Sequence, residues 1–477
     1  MDGILELKEK IHNDEVTSEE LFNNSVEKAK KYQDEYNSFV TIMDSYEKVE
    51  SNSLISGIPY ALKDNVSTKG ILTTASSNIL SNYVPVYDAT IYKKLKESGA
   101  ILIGKTVLDE LAMGGTGTTG HTGIVRNPWD KNRQIGGSSA GSAAAVALGI
   151  VPFAIGSDTG DSIRKPAAYG GIVGFKPTYG RVSRYGLFAF ASSLDHLGVF
   201  TRNVRDASIV TDIIKGHDCL DMTSLPDDNR EYSTLIDNNV NGRKLFYIKE
   251  ALENNDNDKE LTKILDNFNN VLEKCKDLGI EVCEESISKD LLQALYPTYM
   301  SISCAEVTSN NANLTGIHFG VRGEGNAPEE IIKDARTNGF SELIKRRFVL
   351  GSYILQKENQ EKLFLNACRV RRMIVDRVNE LFEKYDGIIM PAAAGIAPKF
   401  DEKNDKLSDK YLILDNHMVI GNFGGYPSIT IPSGFVDNMP VGINITGRVK
   451  EDDVVLNIAN KLESSMEYAN QIAKEMK

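Results

Sequence analysis

The sequence predicts an α/β fold: one sheet, completed by C-terminal strands, with a helical insertion lying over it. From about residue 57 to 205 the chain is dense in Gly, Ser and small apolar residues, and short apolar runs alternate with a small-residue helix. From 250 to 385 it is richer in Asn, Asp, Lys and Glu and takes on a helical period. Near the end, two segments alternate apolar and polar residues as strands do. Strand and helix alternating on this scale argue for an α/β sheet.

Taken in order, Thr17-Ser-Glu-Glu20 is a capping box that opens a helix with Leu21, Phe22, Val26 and Ala29 on its apolar face. Residues 100–103 and 151–155 read as short buried strands, and residues 141–148 between them as a closely packed helix. The polar, turn-rich stretch 219–243 predicts a surface connection. Within the insertion, Leu363, Ala367, Val370, Ile374, Val378 and Leu381 mark one face of a long helix. Residues 428–431 and 441–446 alternate as half-buried strands do. The expectation is a single domain over 1–477, with a core at 57–205 and a helical insertion at 250–385 over the site. Strands and a helix at 386–477 complete the sheet.

At 477 residues, 41% hydrophobic and 25% charged, the chain has the make-up of a globular enzyme with a core that needs no staples. Cys219, Cys275, Cys283, Cys304 and Cys368 are scattered and odd in number, which fits reduced thiols in a cytoplasmic setting better than disulfides or a zinc site. The acidic, amphipathic N-terminus is unlike a secretory or transit leader, and no apolar run is long enough to span a membrane. Lys and Arg total 54 against 66 Asp and Glu, a net charge of −12. That average field repels a polyanion, so this chain is not expected to be the main binder of a nucleic acid.

Three short motifs fail on context. Residues 99–106 match the phosphate-loop pattern, but Ala-Ile-Leu-Ile between the glycines is strand, not a loop that wraps phosphates. Residues 115–120 match a dinucleotide fingerprint, yet follow residues 107–113, which read as helix, and lack the acidic residue about 20 positions on. Residues 137–141 match the Gly-x-Ser-x-Gly elbow with Ser139 as nucleophile, but turn and loop precede it where a strand is required. Its triad would also need one of His196, His217, His318 or His417, none of which stands in a telling context.

A larger constellation survives. Gly136-Gly-Ser138-Ser139-Ala-Gly-Ser142 and Gly156-Ser-Asp-Thr-Gly160-Asp-Ser162-Ile-Arg164 place two serines, Ser138 and Ser162, 24 residues apart, and Gly57-Ile-Pro-Tyr-Ala-Leu-Lys63 delivers a lysine along an apolar approach. Together these blocks resemble the amidase signature family over the whole chain. The resemblance implies that family's fold, a central mixed β-sheet covered by helices on both faces. It also implies Lys63 as base, Ser138 as proton relay after a cis Gly137–Ser138 bond, and Ser162 as nucleophile. The backbone N–H groups of Thr159, Gly160, Asp161 and Ser162 would form the oxyanion hole. The chemistry suits the residue types: a serine hydroxyl is inert without an adjacent base, and lysine serves only where desolvation lowers its pKa.

The block 175–187, with Phe190-Ala-Ser-Ser-Leu-Asp195, is similar to the glutaminase branch of that family, which works inside a tRNA-dependent amidotransferase. What this implies is a glutamine-hydrolysing chain in a heterotrimer with B and C subunits. It would hold no cofactor itself, while the B subunit uses ATP and magnesium to amidate Glu-tRNA(Gln). By the same resemblance Tyr299, Arg347 and Asp415 line the glutamine pocket, Arg347 gripping the α-carboxylate and Asp415 the α-ammonium. A free-standing amidase acting on another small amide is the alternative, and such a substrate would leave Arg347 and Asp415 without counterparts. Three positions depart from the family pattern: Asp161 replaces a Gly, Ala140 replaces a Gly, and the loop 114–123 lacks the usual Ser-Thr-Glu-Asn-Ser. The Asp161 side chain is expected to point out of the oxyanion hole, or else to be held by Arg164 or Lys165.

Overall fold

The computed structural model describes residues 2–47, 50–255, 257–402, 408 and 410–473. Its strands in chain order are β1 (Phe39–Ile42), β2 (Pro59–Lys63), β3 (Ile101–Thr106), β4 (Arg126–Asn127), β5 (Asp130–Gln134), β6 (Phe153–Asp158), β7 (Val173–Lys176), β8 (His196–Thr201), β9 (Lys244–Ile248), β10 (Glu281–Glu285), β11 (Gly387–Pro391), β12 (Ser428–Val436) and β13 (Met439–Gly447). Eleven of them form one sheet in the order β1-β3-β2-β6-β8-β7-β12-β13-β11-β9-β10, and β4 and β5 make a separate hairpin. The sheet is mixed: β3, β2 and β6 run parallel, β6 through β11 pair antiparallel in turn, and β11, β9 and β10 are parallel again.

Most elements lie where the local pattern puts them. The helix Ser18–Tyr36 opens on a complete capping box, with Thr17 accepting from the Glu20 N–H and Glu20 reaching back to the Thr17 N–H. Phe22, Val26 and Ala29 on that helix are buried beneath the sheet's first strands. Residues 366–382 form the expected long helix, burying Ala367, Ile374, Val378 and Leu381, and a π-helical turn at Glu361–Leu365 leads into it.

Two expectations are corrected. Residues 107–113 are not a helix: only Glu110–Ala112 forms a 3-10 turn, with Leu111 and Ala112 at positive φ. The cause lies downstream, where the Asp109 carboxylate accepts the backbone N–H groups of Thr116, Gly117, Thr118 and Thr119 and folds the chain back on itself. The stretch 250–385 is mostly helical as expected, and also gives the sheet its edge strand β10, which pairs parallel with β9. Finally, β12 and β13 are buried along almost their whole length, not on one face. The helix Arg164–Gly170 packs on one face of them, and the helices Lys259–Asp277 and Asp452–Ser465 pack against this part of the sheet as well, so even their polar residues are internal.

This architecture sets the site. β2 and β6 are parallel neighbours that end side by side, at Lys63 and Asp158. The carboxyl ends of adjacent parallel strands, each followed by a loop, are where open α/β sheets build binding crevices. Among the described residues, no helix is long and apolar enough to cross a membrane.

Candidate active site

Lys63 closes β2 with its side chain fully buried and forms no ion pair with a described carboxylate. Its ammonium donates to Ser138 Oγ at 2.9 Å, Ser139 Oγ at 2.8 Å, and Ser157 Oγ at 2.8 Å, with the Ser157 carbonyl at 3.3 Å. Burial pulls its pKa down to about 7, against the charges of Asp109, Asp158 and Asp195, which favour the ammonium. A lysine of this kind is a base at neutral pH. Lys105 of the discarded phosphate-loop motif shows the contrast. It lies on β3, equally buried, but is paired with Asp64 at 3.5 Å and hydrogen-bonded to the Val66 carbonyl, Thr68 and Thr73. It ties β3 to the segment that follows β2 and meets no serine.

The Gly137–Ser138 peptide is cis. A Cβ on Gly137 would collide with the Asp109 carboxylate, so only glycine fits where this turn crosses that side chain. The Asp109 N–H donates to the Ser138 carbonyl at 3.1 Å, which fixes the turn from its other side. Ser139, the elbow candidate, is fully buried; its hydroxyl donates to the Ser157 carbonyl and accepts from Lys63. No histidine serves it. His196 Nδ1 meets the Leu194 carbonyl, His417 Nδ1 meets the Leu414 carbonyl, and His217 and His318 are exposed.

Ser162 lies on the loop between β6 and the helix Arg164–Gly170, at 4% exposure, and its hydroxyl bonds to no described residue. The loop itself is pinned. Arg164 and Asp158, both fully buried, pair at 2.9 Å, and Arg164 also donates to the Gly160 carbonyl at 2.8 Å and to Asn422 Oδ1 at 2.6 Å. Burial opposes the Asp158 charge, but the Arg164 guanidinium outweighs it and holds that carboxyl well below the usual carboxylate range. The Thr159 hydroxyl donates to Asp195 at 2.6 Å. With the Gly160 carbonyl drawn to Arg164, the N–H groups of Thr159, Gly160, Asp161 and Ser162 donate to no described acceptor. Free N–H groups beside a serine are what a developing oxyanion requires.

Tyr299 and Arg347 come from two helices of the insertion, Leu295–Asn310 and Glu342–Ile354. A Cβ at Gly160 would lie 3.1 Å from the Tyr299 ring, so that ring covers the oxyanion loop. The Tyr299 ring meets Phe190 edge-on, and the Arg347 guanidinium lies 5.6 Å from the centre of the same Phe190 ring. Burial raises the Tyr299 phenol, partly offset by the Arg347 charge, so it stays protonated and able to donate. No described carboxylate pairs with Arg347, and its Nε is buried without a hydrogen-bond partner. Asp415 is already engaged: Lys165 Nζ donates to its carbonyl at 2.9 Å and its Oδ1 at 3.3 Å, and the Ala394 N–H donates to the same oxygen at 3.1 Å.

Sequence reasoning missed Ser157 and Asn65. Ser157 shares the grip on Lys63, and Asn65 Nδ2 donates to Ser157 Oγ at 3.0 Å. Ser157 stands inside the blocks that carry the resemblance and Asn65 two residues past the lysine of one, so their position was a usable signal. It was overlooked because neither is a reacting group.

Comparisons with known proteins span nearly the whole chain. The amidase family profile matches residues 20–456. The A subunit of glutamyl-tRNA(Gln) amidotransferase from Pseudothermotoga lettingae is 40% identical over 449 residues, covering 94% of each chain. Its counterpart from Heliobacterium modesticaldum is 42% identical over 414 residues, 86% of this chain and 83% of that one. The crystal structure of the corresponding protein from Thermotoga maritima superposes with a TM-score of 0.81 at 36% identity, covering 96% of this chain and 94% of that one. A mixed sheet with a buried lysine amid serines at its strand ends, matched along nearly its whole length, leaves one conclusion: this chain belongs to the amidase family.

Proposed function

We propose that this chain is the glutamine-hydrolysing subunit of a tRNA-dependent amidotransferase acting in the cytoplasm. It works with a B and a C subunit, and the B subunit uses the released ammonia, with ATP and magnesium, to turn Glu-tRNA(Gln) into Gln-tRNA(Gln). One observation carries the reading: the Tyr299 ring covers the loop of the serine–lysine centre, and the Phe190 ring that meets it also carries Arg347, a cation that pairs with no described carboxylate. A substrate carboxylate supplies that partner. The relatives support the same reading, being named subunits of glutamyl-tRNA(Gln) amidotransferase at 37–42% identity.

In the mechanism that follows from the geometry, neutral Lys63 takes the Ser138 proton while Ser138 takes that of Ser162. Ser162 Oγ attacks the carboxamide carbon, and the N–H groups of the 159–162 loop receive the oxyanion. The relayed proton returns through Ser138 to the leaving nitrogen, which departs as ammonia. Water then cleaves the acyl-enzyme by the same relay and releases glutamate.

Two measurements test this. With its native partners, the chain should hydrolyse glutamine with kcat/KM rising with pH and levelling off above about 7, as Lys63 sheds its proton. A flat profile between pH 6 and 8 removes Lys63 from the base role. Arg347→Lys should raise the KM for glutamine about tenfold or more, because a forked grip becomes a point contact. Amidation with external ammonia should be unchanged in that variant, and an equal loss there would mean that Arg347 only supports the fold.

A further inference from the structure

A neutral lysine takes a proton through one lone pair, and three hydroxyls crowd the nitrogen of Lys63. Ser138, Ser139 and Ser157 stand at 2.9, 2.8 and 2.8 Å. The relay needs that lone pair to face Ser138, so the other two hydroxyls must remain acceptors at Lys63. A serine hydroxyl carries one hydrogen and two lone pairs, and it rotates to turn either kind toward a neighbour. Other partners have to fix which way each hydroxyl points.

Ser139 is fixed by the main chain of Ser157. Its hydroxyl donates to the Ser157 carbonyl at 2.9 Å and accepts the Ser157 N–H at 3.3 Å, which leaves only a lone pair for Lys63. The Ser157 hydroxyl has no main-chain partner among the described residues. Apart from Lys63, the described residue bonded to it is Asn65, whose Nδ2 donates to Ser157 Oγ at 3.0 Å. With Asn65 on one lone pair and Lys63 on the other, the Ser157 hydrogen is directed away from both. Asn65 is held for this task. The Val66 N–H donates to the Lys63 carbonyl at 3.1 Å and closes a turn behind the lysine, while the Asn65 carbonyl accepts the Phe188 N–H at 2.8 Å. The Asn65 side chain is buried, and its Oδ1 has no partner among the described residues. A buried acceptor left unpaired costs stability, so the amide is explained by what its nitrogen does.

We infer that Asn65 is a positioning residue of the hydrolytic reaction: by occupying Ser157 Oγ it keeps that hydroxyl an acceptor at Lys63, and so reserves the lone pair of the neutral amine for Ser138. This rests on the glutamine-hydrolysing reading and deepens it, adding what directs the proton. With an apolar side chain at position 65, Ser157 is free to turn its own hydrogen into the Lys63 lone pair and compete with Ser138. A carboxylate at 65 works from the other side. It takes the Ser157 hydrogen, and Ser157 again offers Lys63 only a lone pair.

The test follows ammonia release from glutamine against pH, on the full chain with its native partners. Asn65→Leu should lower kcat about tenfold or more at every pH, with the KM for glutamine within about threefold of wild type. Asn65→Asp should recover a plateau kcat within about threefold of wild type, but reach it at higher pH, since a carboxylate near the Lys63 ammonium favours the charged form. The charges that already bear on Lys63, from Asp109 ahead of the 110–112 turn, Asp158 at the end of β6 and Asp195 just before β8, are the same in every variant. In a Ser157→Ala background there is no hydroxyl to direct, so adding Asn65→Leu should cost less than about twofold more. Amidation with external ammonia should keep its wild-type rate throughout. An Asn65→Leu variant with wild-type kcat, an Asn65→Asp variant as slow as Asn65→Leu at every pH, or an equal loss of ammonia-dependent amidation overturns the inference while leaving the glutaminase reading intact. A wild type that releases no ammonia from glutamine overturns both.

Discussion

Replacing Ser162 with alanine is expected to abolish glutamine hydrolysis, a loss of roughly 10⁴-fold or more, since Ser162 carries the hydroxyl of the 159–162 loop that bonds to no described residue, whereas that of Thr159 is held by Asp195. Ser139→Ala, by contrast, should keep about a tenth of the activity. Its hydroxyl is buried between Lys63 and the Ser157 carbonyl, so its loss removes one of three serine contacts to the lysine and about 1 kcal/mol of hydrogen bonding. Steady-state ammonia release from the two variants decides between them. A dead Ser139→Ala beside an active Ser162→Ala would make Ser139 the nucleophile. Amidation with external ammonia, retained in both, would show that assembly and the partner's chemistry are unharmed.

Lys63→Arg should lose about 10³-fold or more, because a guanidinium keeps its proton at any pH the protein survives. The change also puts a permanent charge into a fully buried site with no described carboxylate to pair with. Burying an uncompensated charge costs several kcal/mol, so the thermal midpoint should fall as well. Lys63→Ala separates the two effects: it removes the base without adding the charge, and should be equally inactive yet closer to the wild type in stability. Turnover within tenfold of wild type in either variant would mean that another group takes the serine proton.

Asp161 teaches how far a resemblance reaches. The family pattern places it in the oxyanion loop, and its N–H is indeed free there. Where its carboxylate goes, however, depends on Lys165 choosing Asp415, a residue 250 positions away. Asp415 shows the same limit from the other side, since the resemblance names it as a substrate partner but not the Lys165 ammonium and the Ala394 N–H that its Oδ1 also receives.

The sequence by itself determined the elements whose signals are local: the capping box at Thr17, the small-residue helix after Ser139, the apolar run that carries Lys63, and the spacing of the two serine blocks. These depend on the backbone's own donors, on side-chain size and on residues a few positions apart. Tertiary structure alone decided the rest. Residues 107–113 lost their helix to the Asp109 carboxylate, and β12 and β13 lost their expected solvent face to helices from distant parts of the chain. Which lysine became the base was settled in the same way. Lys63 and Lys105 are both buried strand lysines, but Asp64 neutralises one while serines 75 to 94 positions away surround the other. A periodicity records the face a segment offers, whereas a pKa and a charge partner are set by what the fold brings against that face.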